Sequence, residues 1–242
     1  MEIYTTEAIK NLKLWDKKMS KKPFIKLDIA KGLQDKMNSF IPEKAHEIIT
    51  IAIKNMVKGV LIGSEFSTKN PLINATLKER EEKVLNKLEF YKKTAALSGA
   101  GTGAGGILIG LTDFPILLSI KIKFLFDTAS LYGFDVKNYK ERLYILYIFQ
   151  LAFSSKERRL EIYKYVRNWN TYVKSLPENI NDFDWRKFQQ EYRDYIDLAK
   201  MLQLVPGIGA IVGAVANYKL MNKLGETSMN AYRLRLFKDT LG

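Results

Sequence analysis

Two glycine-rich stretches without a single charge constrain this chain more than anything else in it. The first, Thr94 to Thr112, is 19 residues long with six glycines, and Asp113-Phe114-Pro115 and a second apolar run to Ile120 follow it. The second, Leu202 to Tyr218, is 17 residues long and includes Pro206, Gly207, Gly209 and Gly213. In a water-exposed helix each glycine costs about 1 kcal/mol relative to alanine, so such runs need close helix contact or an apolar surrounding. Gly99 and Gly103, Gly101 and Gly105, Gly106 and Gly110, and Gly209 and Gly213 stand four residues apart. On a helix each pair lines one face and lets another backbone approach. The two runs are expected to pack as a matched pair, as a buried helical hairpin core or as a hairpin that dips into a membrane or binds an acyl chain. A bilayer span takes about 20 mostly apolar residues, so these diluted runs fall at the margin and the chain reads as soluble or peripheral rather than integral.

The rest of the sequence reads as helix. Alternating runs are short and no Asn-Gly or Asp-Gly hairpin occurs, whereas four- and seven-residue apolar spacings recur. A first helix is expected over 5–22, with Ala8, Leu12, Trp15 and Met19 on one face and Lys10, Lys13, Lys17, Lys18 and Lys21 opposite; Pro23 ends it. Segments near 24–39 and 42–62 follow, the second opened by Pro42. Over 72–93, Leu77, Val84, Leu88 and Tyr91 are core candidates, and Glu79-Arg80-Glu81-Glu82-Lys83 reads as facing water. A helix over 115–132 should end at Gly133, a left-handed cap position. Eleven uncharged residues, Leu143 to Phe153, read as a buried central helix. Ile162, Val166, Trp169 and Val173 mark one amphipathic helix, and Trp185, Phe188, Tyr192, Tyr195 and Ala199 another, with Ser175–Asn179 as the loop between them. Residues 219–238 close the chain as a basic helix. No linker divides it, so the expectation is one all-α, multi-helix domain over 1–242.

The ordinary routes to chemistry are nearly empty. With no cysteine and one histidine, His46, there is no disulfide framework, thiolate metal site or Cys nucleophile, and a lone His-Glu pair is not a zinc motif. Gly101, Gly103 and Gly106 satisfy G-x-G-x-x-G, but a dinucleotide fingerprint needs a strand before it, and Lys87 to Lys93 are in helical register instead. No cofactor or catalytic residue is assigned. Asp113, the one acid in the apolar region, reads first as a helix N-cap and second as a polar anchor.

Binding is the better expectation. Lysine and arginine outnumber the acids 39 to 26, a net charge of +13 that attracts polyanions. Between Lys10 and Lys26, seven lysines stand against Asp16. With Trp15 among them, Lys10, Lys13, Lys17, Lys18, Lys21 and Lys22 have the composition of a helix lying on an anionic leaflet, though an ordinary surface helix has the same pattern. Nucleic acid is the weaker partner, because lysine outnumbers arginine and no helix-turn-helix, zinc or aromatic RNA-binding motif occurs. Met1–Glu7 carries two acids ahead of a lysine-rich stretch without an apolar run, which reads as no signal peptide and an intracellular location.

The chain resembles the EcsC family of bacterial proteins. The likeness is carried by Gly99-Ala100-Gly101-Thr102-Gly103-Ala104-Gly105-Gly106, Thr112-Asp113-Phe114-Pro115, Tyr132-Gly133-Phe134-Asp135, Leu204-Val205-Pro206-Gly207-Ile208-Gly209-Ala210 and Leu224-Gly225-Glu226-Thr227-Ser228-Met229-Asn230-Ala231-Tyr232-Arg233. It covers about residues 70–240. The family resemblance implies a protein encoded beside ABC transporter subunits and a membrane-linked context, and carries over no catalytic residue. The glycine-rich character is also similar to the senescence domain of spartin-like, lipid-handling proteins. The leading expectation is a non-enzymatic protein at the cytoplasmic face of the membrane that binds an anionic phospholipid or fatty acid. Its groove would be lined by Ile107, Leu108, Leu111, Phe114, Ile208 and Val212. An ABC transporter adaptor without a lipid site, and an enzyme with an unrecognised Ser, Lys, Asp or Tyr site, stay open beside it.

Overall fold

The computed structural model describes residues 3–21, 43–62, 70–100, 113–155, 158–184 and 210–240. All the main elements are helices: α1 (Ile3–Ser20), α2 (Glu43–Ile62), α3 (Leu77–Ala100), α4 (Phe114–Leu131), α5 (Tyr139–Phe153), α6 (Arg159–Arg167), α7 (Trp169–Tyr172) and α8 (Ala210–Leu236), with short 3₁₀ turns after α7 and α8. The expected helices near 24–39 and over Trp185–Ala199 lie outside the described residues.

Local signals start and stop these helices where the sequence carries them. At the head of α3, Thr76 and Glu79 form a capping box: the Thr76 N–H donates to Glu79 Oε2 at 2.8 Å and the Glu79 N–H to Thr76 Oγ1 at 3.3 Å. Those bonds hold the Glu79 carboxyl below its ordinary pKa. Asn138 caps α5, its side chain accepting from the Lys140 N–H at 2.9 Å. α4 ends in a Schellman motif. Gly133 takes φ +91°, its N–H bonds Ser130 O, and the Phe134 N–H bonds Ala129 O.

Three helices form the central sheaf. α4 runs antiparallel to α3, fixed by Arg80 Nη1 on Leu131 O at 3.2 Å and by the Tyr91 hydroxyl on Asp127 at 2.9 Å. α8 also runs antiparallel to α3, with Arg233 beside Glu81, Gly225 against Leu88 and Tyr218 under Lys92. α8 is longer than expected. It begins at Ala210, inside the second glycine-rich run, and it buries Met221, Leu224, Met229, Ala231, Tyr232 and Leu234.

α5 fills the middle, every residue but Lys140 being buried. Its polar groups are paired: Glu141 accepts from Arg235 at 2.6 Å, Arg142 donates to Val136 O and Lys137 O, and the Tyr144 hydroxyl donates to Ala231 O at 2.7 Å. α1 lies outside, burying Ala8, Ile9, Leu12, Trp15 and Met19. The amphipathic segment 159–175 is broken at Asn168 into α6, α7 and a 3₁₀ turn, which places Trp169 with its ring centroid 4.8 Å from that of Tyr144.

Candidate functional site

One end of the sheaf gathers the features that the sequence separates. Because α3 and α4 are antiparallel, the C-terminus of α3, which runs into the first glycine-rich run as far as Ala100, and the N-terminus of α4, which follows that run, lie at the same end. α8 is likewise antiparallel to α3 and so parallel to α4, with Lys121 and Asn217 paired at 3.2 Å between them, so the N-terminus of α8, where the second run feeds in, lies there too. This end exposes large apolar side chains on all three helices: Leu97 is 75% exposed, Ile116 54%, Val215 49% and Tyr218 42%. Four residues inward from Leu97 on α3 stands exposed Lys93, and four inward from Val215 on α8 stands exposed Lys219. At 1.5 Å rise per residue the backbone of these two lysines stands about 6 Å behind that of Leu97 and Val215 along the helix axes. Lys92 is buried, its Nζ 4.8 Å from the Tyr218 ring centroid and 2.5 Å from Glu89.

The proposed groove and glycine residues are only partly within view. Ile107, Leu108, Leu111, Ile208, Gly101, Gly103, Gly105, Gly106, Gly110, Gly209 and Lys22 lie outside the described residues, as does the side chain of Val212. Gly99 lies in the last turn of α3 and Gly213 in the first turn of α8, at the same end of the sheaf. Phe114 is fully buried at the start of α4. Asp113 occupies the N-cap position of α4 as expected, yet its φ/ψ are helical, −88° and −7°, and its side chain makes no cap hydrogen bond. The residues before the G-x-G-x-x-G pattern are α3, a helix where a dinucleotide site requires a strand.

The basic face of α1 is present with one correction. Lys10, Lys13, Lys17, Lys18 and Lys21 are exposed, but Trp15 does not join them. It is buried, edge-on to Tyr163 with centroids 5.4 Å apart, because it belongs to the stripe that seats α1 on the body. Asp16 holds this seat by accepting from Arg167 Nε at 2.8 Å and from the Tyr163 hydroxyl.

A second correction concerns Glu81, placed in water by the reading of its charged neighbours. It is fully buried, and its carboxylate accepts from Tyr4 at 2.7 Å, Tyr132 at 2.8 Å, Arg233 Nε at 2.7 Å and Arg233 Nη2 at 2.6 Å. Burial first, then the bond to Glu81, pushes the Tyr4 hydroxyl up to about 12; burial first, then the Glu81 charge, pushes Tyr132 well above the ordinary tyrosine value. This hub ties α1, α3, α4 and α8 together. Both carboxylate oxygens accept twice, so the hub holds the helices together.

Among the described residues no helix is long and apolar enough to cross a membrane. Fold and site define an all-α protein built on a three-helix sheaf with an apolar, lysine-collared end. A family model described as the EcsC protein family matches residues 6–237, and the chain belongs to that family. It is similar to Protein EcsC of Bacillus subtilis (strain 168), 48% identical over 214 residues, 88% of each chain. It is also similar to Uncharacterized protein YdbA of the same organism, 27% identical over 267 aligned positions covering 97% of this chain and 93% of that one. No solved structure matches it.

Proposed function

We propose that the protein is a non-enzymatic peripheral membrane protein that docks on anionic bilayers, with the end of the α3–α4–α8 sheaf as its docking surface. The observation that carries this reading is the exposure of Leu97, Ile116, Val215 and Tyr218 at one end, with Lys93 and Lys219 one turn behind. Apolar side chains that enter about 5–10 Å into the headgroup boundary bring lysines one turn back to the level of the phosphates, where each adds about 1 kcal/mol. The lysine face of α1 is a second basic surface. Tyr4 is fixed beside Glu81, 16 residues from Leu97 along α3, so α1 begins about 24 Å from the tip.

Sedimentation with vesicles of phosphatidylglycerol and phosphatidylcholine tests the reading. Leu97→Gln with Ile116→Gln should weaken binding at least about tenfold, since two partly buried apolar side chains contribute a few kcal/mol. Both positions are exposed, so the core is untouched. Lys10→Gln with Lys13→Gln and Lys17→Gln is the comparison for α1, preferable to truncation because Leu12, Trp15 and Met19 are core residues. Loss confined to the α1 variant would move the docking surface there. Unchanged binding in both, with transporter subunits co-purifying, would favour the adaptor reading.

A further inference from the structure

A groove on the side of the sheaf, away from the tip, has the chemistry of an anion site. It lies between α3, α4 and the segment 70–76, holds about 530 Å³, within the usual range of ligand pockets, and is lined by polar Asn70, Lys83, Asn86, Lys87 and Ser130, by Asp127, and by apolar Leu72, Phe90 and Leu131. Lys83, Asn86, Lys87 and Phe90 are spaced i, i+3, i+4, i+7, one stripe of α3. That spacing normally marks a core face, yet all four side chains are exposed, Phe90 to 60%.

The wall opposite the stripe is rigid. Arg80 clamps the 70–76 segment, donating to Ala75 O at 3.0 Å, Ile73 O at 2.6 Å and Leu131 O at 3.2 Å, while the Leu72 N–H bonds Ser130 O at 2.9 Å. The charges are also arranged. Asp127 is occupied by Lys123 on Oδ1 and by Tyr91 at 2.9 Å and Lys87 at 3.2 Å on Oδ2, so it offers a ligand little free negative charge. The side chains of Lys83 and Asn86 make no hydrogen bond or salt bridge with the described residues, the Lys83 charge acting on Glu79 one turn earlier without a close contact. Two ammonium groups one turn apart repel weakly unless an anion sits between them.

We infer that this groove binds a phosphate ester, with Lys83 and Lys87 on the phosphate, Asn86 as a further donor, and the apolar body of the ester along Phe90, Leu72 and Leu131. Two ammonium groups and an amide match a dianion with three terminal oxygens better than a carboxylate with two. The ester is a soluble metabolite or a phosphomonoester lipid headgroup. Lys87 is ten residues from Leu97, about 15 Å along α3, so a lipid bound here would have to leave the bilayer.

Calorimetric titration with octyl phosphate, kept below its micelle concentration, tests the site independently of membrane docking, since no bilayer is present and the tip is intact. Octyl phosphate should bind, inorganic phosphate at least about tenfold more weakly, and octyl glucoside not measurably. Lys83→Gln with Lys87→Gln should weaken octyl phosphate at least about tenfold; Asp127 keeps Lys123 and Tyr91, so the fold holds. Phe90→Ala should weaken octyl phosphate and leave inorganic phosphate unchanged. The control Lys54→Gln with Lys58→Gln removes the same charge elsewhere and should change nothing. Equal loss in the control, or no loss in the groove variants, would overturn the site. Incubation with phosphatidic acid vesicles separates the sources: lipid carried into the soluble fraction identifies a lipid headgroup, and none carried by protein that binds octyl phosphate identifies a soluble ester.

Discussion

Lys121 is the residue whose surroundings demand most of it. It is fully buried on α4, its ammonium donating, among the described residues, to Leu117 O at 3.3 Å and Asn217 Oδ1 at 3.2 Å, and burial pulls its pKa from 10.5 down to about 7. The unfolded chain keeps that proton up to about 10.5 and the folded chain only to about 7, so between these values the unfolded state binds more protons. Stability therefore rises with pH across this window, by at most about 1.4 kcal/mol per unit. Above the ordinary tyrosine range the sign reverses. Tyr4, Tyr91, Tyr132, Tyr144 and Tyr163 hold their protons higher when folded, chiefly through burial, so the folded state then binds more protons. Lys121→Met should flatten the rise between pH 7 and 10 and stabilise the protein at pH 7 by about 1–3 kcal/mol, part of the gain being offset by the hydrogen bond Asn217 loses. Urea unfolding from pH 6.5 to 9.5 reads both effects; an unchanged slope would mean that Lys121 is charged in the folded state. Glu81 shows what a residue-by-residue reading of the sequence misses. Leu77, Glu81, Val84, Leu88, Tyr91 and Ala95 form one i, i+4, i+7 stripe, and the position of Glu81 predicts burial while its charge predicts water. Position prevailed because Arg233, Tyr4 and Tyr132, none close in sequence, converge on the carboxylate.

At the scale of elements, α3 and α8 pass closely enough that their contact depends on Gly225. A Cβ there would lie 2.5 Å from Leu88 Cδ2 and 3.0 Å from its Cδ1, and Leu88 is itself buried. Gly225→Ala should gain about 1 kcal/mol of helix propensity and lose more to overpacking, for a net cost of about 1–3 kcal/mol in chemical denaturation. Combining it with Leu88→Val should cost less than the sum of the two single changes, the sign of coupling expected where a substituted side chain makes room for the new methyl. Additive costs would place the strain elsewhere. This close passage was legible only as composition: the glycine-rich runs announce tight helix contact, but the glycine described at the crossing lies outside both of them. The ends of α4 and the burial of α5 were more fully legible, since Gly133 and the eleven uncharged residues from Leu143 are local signals. The break of 159–175 at Asn168 was not, because Ile162, Val166, Trp169 and Val173 keep helical spacing across it and only the packing of Trp169 on Tyr144 and Tyr147 shows why the chain turns.

For the molecule as a whole, the question is how a net charge of +13 and one apolar end divide the attraction to a membrane. Charge acts at a distance and salt screens it: the Debye length falls from about 10 Å at 0.1 M ionic strength to about 3 Å at 1 M. Leu97, Ile116, Val215 and Tyr218 act only on contact, and their burial is not weakened by moderate salt. Binding to anionic vesicles should therefore fall by about an order of magnitude between 0.1 and 0.5 M sodium chloride and then level off rather than vanish. The residual binding should be abolished by Leu97→Gln with Ile116→Gln, whereas Lys10→Gln with Lys13→Gln and Lys17→Gln should lower binding at 0.1 M and leave the high-salt residue unchanged. Zwitterionic vesicles should show the residue alone at both concentrations. A complete loss at 0.5 M would reduce the interaction to diffuse attraction between a basic protein and an acidic surface, in which the apolar end takes no part. A residue that survives the tip substitutions would place the apolar contact elsewhere on the chain.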